Sequence, residues 1–344
     1  MNFKETFLKL TEYTIPYGHE SDIIHLLPSG VKKDKWGNYF LRIGESNTLF
    51  TCHLDTYCVK KEKVNHIIEG NIIKTDEKTI LGGDNKAGVT CIFYMIEQGI
   101  PGFYYFFIGE EPILSGGLYG SSKLLQGYPD FLREFDRAIA FDRKKMGSII
   151  TRQMAQWCCS NEFADSLISE FNKCGVSMKK DPTGYYTDTG NFLEVISECT
   201  NISIGVWNEH HNNEYVDISY VEKISKAACQ INWENLPTVR IPKYPVDDTN
   251  NVIDDNTKLI KKYKKFHNGT IDSKLFRKVN NFLSDENYVL ITRTGFKPGK
   301  EMIFDNWFKE DFLKIIIQNG SITMNGNKVY AGKKLQDNIL KLLK

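Results

Sequence analysis

Several short apolar runs in this chain end in an acidic residue or a histidine. No other feature constrains the fold as strongly. "TLFTCHLD" ends in His53 and Asp55, "FYYFFIGEE" in Glu110 and Glu111, and "RAIAFD" in Asp142. "NISIGVWNEHHNNEY" leads into His210 and His211, and "LGGDNKAG" sets Asp84 at a glycine-rich turn. Runs of this length, rich in Ile, Phe, Tyr and Val, read as buried strands. In open α/β sheets, ligands bind just beyond the carboxyl ends of the strands. A sheet that aligns these ends therefore collects metal-type ligands along one edge.

The intervening segments have helical character. "FKETFLKLTEY" has helical apolar spacing. "KAGVTCIFYMIEQG" reads as a helix that starts just after Asp84 and is closed by Gly99. "LYGSSKLLQ", "NEFADSLISEFNKCG" and "SYVEKISKAACQINWEN" read as further helices. Strands are expected near Tyr39 and Leu49, at Phe103–Ile108, at Ala138–Phe141, in "SIITR" and in "ISIGV". In "DKWGNYF", Gly37 and Asn38 are turn residues between two strands. This alternation predicts an α/β fold, a mostly parallel sheet with helices on both faces.

The pattern breaks around Pro237, Pro242 and Pro245. This divides the chain into a metal-binding catalytic domain over residues 1–240, a polar linker over 241–257 and a small C-terminal α+β domain over 258–344. In that last part "KLFRKVNNFL", "NWFKEDFLKIIIQNG" and "KLQDNILKLLK" read as helices and "YVLITR" as a strand. "SITMNGNKVYA" carries an Asn-Gly hairpin signal at Asn325–Gly326.

Charge separates the same two parts. The whole chain is formally +1. Residues 246–344 hold 18 Lys/Arg against 12 Asp/Glu, a net of +6, leaving 26 against 31, or −5, for the rest. An acidic front part suits a cluster of metal carboxylates. The basic tail reads as a solvated face, and the near-neutral total argues against nucleic acid as the main partner. None of the eight cysteines forms a Cys-x-x-Cys pair, and adjacent Cys158 and Cys159 read as core packing. "MNFKETFLKL" is too charged for a signal peptide, and no apolar run approaches the ~20 residues of a membrane span. The expectation is a cytoplasmic protein with reduced thiols.

His, Asp and Glu ligands without Cys suit zinc, or a similar cation such as Mn²⁺ or Co²⁺. Five candidates, His53, Asp84, Glu111, Asp142 and His210, are enough for two metals sharing one carboxylate, ~3.5–4 Å apart. Asp55 lies two positions beyond His53, on the same face of a strand. There it can fix the tautomer of the His53 ring. Glu110 sits beside a candidate ligand, where it can act as a base. His19, His25, His66 and His267 have no motif around them. Thr187 and Asp188, in "YYTDTGNF", suit a helix N-cap at least as well as a role with substrate.

"TCHLDT", "LGGDNKAGVT", "IGEE", "AFDRK" and "HHNNEY", in this order and spacing, resemble the co-catalytic di-zinc exopeptidases: peptidase T-like tripeptidases, zinc aminopeptidases and related carboxypeptidases and deacylases. The resemblance covers roughly residues 1–235. It implies that His53, Asp84 and Asp142 hold one metal, and that Asp84, Glu111 and His210 hold the other, with Asp84 bridging. It makes Glu110 the general base toward a metal-bridging water and Asp55 the partner of His53. It also implies a cis peptide bond after Asp84. Asn85 stands where relatives often carry a second Asp. His-x-x-x-Glu spacing to Glu214 selects His210 over its neighbour His211. The intervals from His53 to Asp84 and from Asp142 to His210 are too short for a lid domain, so the core should be lidless.

The activity implied is metal-dependent hydrolysis of short peptides from the amino end, or of N-acyl amino acids, by a chain that could form a homo-oligomer. Two alternatives belong to other classes: a relative that keeps the fold without turnover, and an anion- or nucleic-acid-binding protein acting through the basic tail.

Overall fold

A computed structural model describes residues 1–242, apart from residues 155 and 186, and four strands farther along the chain. The chain divides into two compact units, Met1–Tyr244 and Pro245–Lys344. The first is built on an eight-stranded sheet. In chain order its strands are β1 (Lys32–Lys33), β2 (Tyr39–Ile43), β3 (Thr48–His53), β4 (Gly102–Phe107), β5 (Arg137–Arg143), β6 (Ser148–Ile150), β7 (Lys179–Asp181) and β8 (Glu198–Ser203). Their order across the sheet is β1-β2-β4-β3-β5-β8-β6-β7.

The four central strands, β4, β3, β5 and β8, are mutually parallel, and antiparallel pairings flank them at β2 and β6. Every residue of β3, β4 and β8 is buried. That burial explains why these strands read as continuous runs rather than alternating ones. The chain leaves β3 for β4 on one side, then crosses back to β5 on the other. The strand order thus reverses at β3, the kind of switch point where α/β sheets open a crevice.

Helix α1 (Phe3–Leu10) begins at Asn2, whose side chain accepts from the Glu5 N–H. Helix α2 (Gly83–Glu97) is almost wholly buried and packs on β3, β5 and a later helix, α5 (Ile218–Ala228). Regular α2 geometry starts only after Asn85, because Asp84 and Asn85 are non-helical, and it ends before Gly99 in the left-handed region. Helices α3 (Tyr119–Gly127) and α4 (Asn161–Lys173) follow β4 and precede β7. The Asp34–Asn38 turn joins β1 to β2, with Lys33 paired to Tyr39.

Several features differ from the sequence reading. The strand expected in "ISIGV" begins earlier, at Glu198, and ends at Ser203; Thr200 and Asn201 had masked its apolar character. A second, four-stranded sheet joins His66–Glu69, Ile72–Thr75, Val206–Trp207 and Tyr215–Asp217, none of which was expected as a strand except the start of Val206–Trp207. Its outer strand has an exposed face, which leaves little hydrophobic signal. "NWFKEDFLKIIIQNG" is not a helix: Asp311–Gln318 is a strand.

In the second unit the strands Tyr288–Arg293, Lys300–Asn306, Asp311–Gln318 and Ser321–Gly326 form an antiparallel meander. Asn325 and Gly326, expected as a hairpin turn, lie within the last strand, level with Lys314 and Leu313. The helices expected at "KLFRKVNNFL" and "KLQDNILKLLK" lie outside the described residues, as does the linker expected over 241–257, except for its first two positions. Among the described residues no helix is long and apolar enough to cross a membrane.

Candidate metal centre

The parallel register places the first two candidate ligands side by side. Thr51 is level with Ala140, and two residues farther on, at the strand ends, His53 lies beside Asp142. Across the other edge of β3, His53 is level with Phe107, after which β4 runs into Glu110 and Glu111. Asp84 reaches the same edge from the start of α2. His210 comes from the loop between strands of the second sheet. The sheet edge thus gathers donors from five separated parts of the chain.

The two oxygens of Asp84 face different histidines. Oδ1 is 3.1 Å from His53 Nε2, and Oδ2 is 3.2 Å from His210 Nε2. His53 Nε2 is also 3.6 Å from Asp142 Oδ1 and 3.9 Å from Glu110 Oε2. His210 Nε2 is 3.1 Å from Glu111 Oε1. His211 is exposed and its ring bonds the Glu209 carbonyl, so it does not enter the cluster. Two triads, His53, Asp84, Glu111 and His53, Glu110, Asp142, each have their donor atoms within 4.8 Å of one another. They divide the cluster differently from the resemblance. The sides of Asp84 facing each histidine follow the resemblance more closely.

Burial and crowding set the electrostatics. Glu110 is pushed well above the usual carboxylate range by burial, with Glu111 and Asp142 adding to the rise. Burial likewise raises Glu111 to about 7 and Asp142 to about 6. Burial also works against charge on the histidines, but the surrounding carboxylates outweigh it; His210 is raised to about 11 and His53 well above its ordinary value. Burial opposes the charge of Asp84 too, yet hydrogen bonds from His210 and His53 hold it below the ordinary range. More buried negative charge is concentrated here than two histidines can neutralise, and divalent cations would relieve it. The oxygen and imidazole donors fit such cations.

A second layer of side chains fixes the donors. Asp55 Oδ1 lies 3.4 Å from His53 Nδ1, a long contact, and the same carboxylate accepts the N–H groups of Glu110 and Glu111 at 3.1 and 2.9 Å. Buried Glu214 accepts from the N–H groups of Gly82 (2.8 Å) and Asp84 (2.9 Å). Asn85 donates to Asp142 from beyond the Asp84–Asn85 peptide bond, which is cis. Asp142 also accepts from Thr187 Oγ1 at 3.0 Å, and its N–H is held by Asn201. Thr187 does precede a short helix, but its side chain does not cap it. Lys86, fully buried, donates to the Asp55 carbonyl at 3.0 Å. Tyr57 stacks on His210 with ring centres 4.3 Å apart.

Sequence reasoning missed Asn85, Lys86, Asn201 and the holding role of Glu214. Their partners are backbone groups or lie far along the chain, so only the positions of Asn85 and Lys86 beside Asp84 could have signalled them. The unassigned His66 bonds Thr11 and has no part in the centre.

The centre lies in a cavity of about 730 Å³. Leu118, Ile150 and Tyr57 line part of it, and Arg143 and Lys144 line another part. Both cations are already paired, Arg143 with Asp181 and Lys144 with Glu209.

No family model matches the chain, and no curated protein matches it in sequence. Solved structures do match in shape. Aminopeptidase PepT from Bacillus cereus superposes with a TM-score of 0.56 at 15% identity, over 66% of this chain and 96% of its own. A tripeptidase from Staphylococcus aureus gives 0.52 at 16% identity, over 66% and 96%. PhTET1, crystallised as a dodecamer, gives 0.50 at 17% identity, over 67% and 98%. At these identities the likeness establishes the fold: this chain has the α/β fold of the peptidase T and TET aminopeptidase structures.

Proposed function

We propose that the chain is a metal-dependent exopeptidase that removes residues from the amino end of short peptides. The observation that carries this reading is the Asp84 carboxylate set between His53 and His210, one oxygen to each, with Glu110 alongside. In this reading His53, Asp84 and Asp142 hold one divalent cation, and Asp84, Glu111 and His210 the other. Zinc suits the donors best, with Mn²⁺ or Co²⁺ as alternatives. When bound, the cations supply Lewis-acid activation of water and of the scissile carbonyl.

The protein's own residues do the rest. Glu110 takes the proton of the attacking water on its carboxylate and passes it to the leaving amine. Asp55 holds the Glu110 and Glu111 amides, so the base and its neighbouring ligand keep a fixed spacing. The cavity is in the range of small-molecule pockets, ~300–1,000 Å³. Its acidic centre favours the cationic amino end of a peptide, while Arg143 and Lys144 are already neutralised. That charge balance favours a free amino end over an N-acyl amino acid. The free cysteines and the lack of a membrane-length helix among the described residues are in keeping with a cytoplasmic location. A homo-oligomer is proposed on the analogy of the PhTET1 dodecamer.

Metal analysis of the purified chain, combined with a panel of free-amino tripeptides and N-acyl amino acids, tests the proposal. Cleavage of the tripeptides by the metal-loaded chain, abolished by a chelator, is expected. Full metal occupancy with no turnover on any substrate would instead identify a relative that has kept the fold but lost the reaction.

A further inference from the structure

The stretch Ile108–Glu111 carries the base and one ligand beyond the end of β4, and its backbone is held by side chains. Ile108 N–H donates to Asn38 Oδ1 at 3.2 Å, and Gly109 N–H to Glu20 Oε1 at 3.1 Å. The next two N–H groups, of Glu110 and Glu111, go to the two oxygens of Asp55. Four consecutive amides are thus fixed by three side chains from three distant parts of the chain. The opposite edge is also satisfied: the carbonyls of Ile108, Gly109 and Glu110 accept from Gly120, Tyr119 and Leu118.

Glu20 has no part in the roles assigned above. It is 3% exposed, and its second oxygen accepts from Gly18 N–H at 2.8 Å. Its segment is tied to the end of β3: Ile15 N–H donates to Thr56 Oγ1 at 3.3 Å, and Thr56 N–H to the Ile15 carbonyl at 2.7 Å. It also packs against the Glu110 loop. Gly109 is left-handed, with φ of 61°, and a Cβ there would come 2.7 Å from the Tyr17 ring. The N-terminal segment therefore grips the His53–Asp55 strand end and the Glu110–Glu111 loop together.

We propose that Glu20 is a positioning residue for the reaction, holding the amide that precedes Glu110 so that the base sits at a fixed distance from the metal centre. A carboxylate suits the task because two N–H groups converge on it, one for each oxygen. Glutamine would keep one acceptor and turn an NH₂ toward the other amide. Alanine would leave both amides unpartnered. Glu20 touches neither substrate nor metal, so its removal displaces the base without removing any ligand. The inference rests on the reading of Glu110 as the base.

The test compares Glu20→Gln and Glu20→Ala with the wild-type full-length chain, loaded with zinc. Three readouts are taken: bound zinc, kcat and KM on free-amino tripeptides, and amide hydrogen exchange at residues 109–111. Both variants should bind zinc as the wild type does and keep KM. The kcat should fall by about 10²-fold in Glu20→Ala, the scale of a 1 Å misplacement, and less in Glu20→Gln. Exchange at 109–111 should quicken in the same order, with the sheet still protected. Wild-type kcat and wild-type exchange at 109–111 in Glu20→Ala would overturn the proposal. If Glu20→Ala does not fold, the same result in Glu20→Gln would overturn it. If the wild-type chain cleaves no peptide, the reading of Glu110 fails, and exchange still decides whether Glu20 holds the loop.

Discussion

Glu110 and Glu111 are neighbours in the chain with different proposed roles, and substitution should separate them. Glu110→Gln keeps the shape and the Asp55 contact but removes the proton acceptor. It should retain its metals and its fold while losing the ~10²–10⁴-fold typical of a general base, measured as kcat beside metal content. Glu111→Ala should lose one of the two cations, read by titrating the apo chain with zinc. Unchanged turnover in Glu110→Gln would show that the proton goes elsewhere. At this scale His53, Glu110, Glu111 and Asp142 were legible in the sequence because each lies where an apolar run ends, while Asp84 was marked by its glycine-rich turn and His210 by its spacing to Glu214. Glu20 was not legible, because its partner Gly109 is 89 positions away and the contact is to a backbone amide. Glu214 entered only as a spacing mark for His210. Its bond to the Asp84 N–H spans 130 positions and leaves no local signature.

Among the elements, α2 carries the tightest constraint. A Cβ at Gly88 would lie 2.0 Å from Asn85 Oδ1 and 2.1 Å from the Phe141 carbonyl, so this glycine lets the helix lie against β5. Gly88→Ala must push the helix start away from the strand that carries Asp142. It should cost roughly the 1–3 kcal/mol of an overpacked core and weaken metal binding at the same time, measured by thermal unfolding and zinc titration. Unchanged stability with unchanged zinc affinity would show that the strand yields instead. The main strands and helices could be read from the sequence because the central strands are buried on both faces. The sheet that carries His66–Glu69 could not, since its strands are short and Ile67 and Ile68 are both exposed, so no alternation marks a buried face there. Asp311–Gln318 was mistaken for a helix because a short apolar run fits both periods. Its three consecutive isoleucines, Ile315–Ile317, are β-branched and favour the strand that forms.

For the whole molecule, the boundary between the two parts can be tested. The break in pattern begins at Pro237 and the first part was expected to end at residue 240, and the residues between these positions are anchored. Arg137, nearly fully buried, donates to the Leu236 carbonyl and to Thr238 Oγ1. Glu198 accepts the N–H groups of Val239 and Arg240 at 2.7 and 3.0 Å, and the Arg240 side chain reaches the carbonyls of Leu193, Ile196 and Ser197. A chain ended at residue 242 should therefore fold and bind zinc. A chain ended at residue 237 should be less stable, since buried Glu198 keeps its bonds from Ser160 but loses those from Val239 and Arg240, at ~0.5–1.5 kcal/mol for each lost hydrogen bond. Comparing the melting temperatures of the two truncations decides this. Equal stability would mean that these anchors are dispensable.

The strand order has a consequence for synthesis. The donors lie between His53 and His210, and the central strands pair across long stretches of chain, so the centre closes only after the last donor has been made. A nascent chain that stops short of His210 holds an incomplete ligand set, however well its first strands are formed. Pairing of this kind is slow, because distant segments must meet before contact offsets the entropy of closing the loop. In the proposed reading, a chain still being translated therefore has no complete metal centre until His210 has been added.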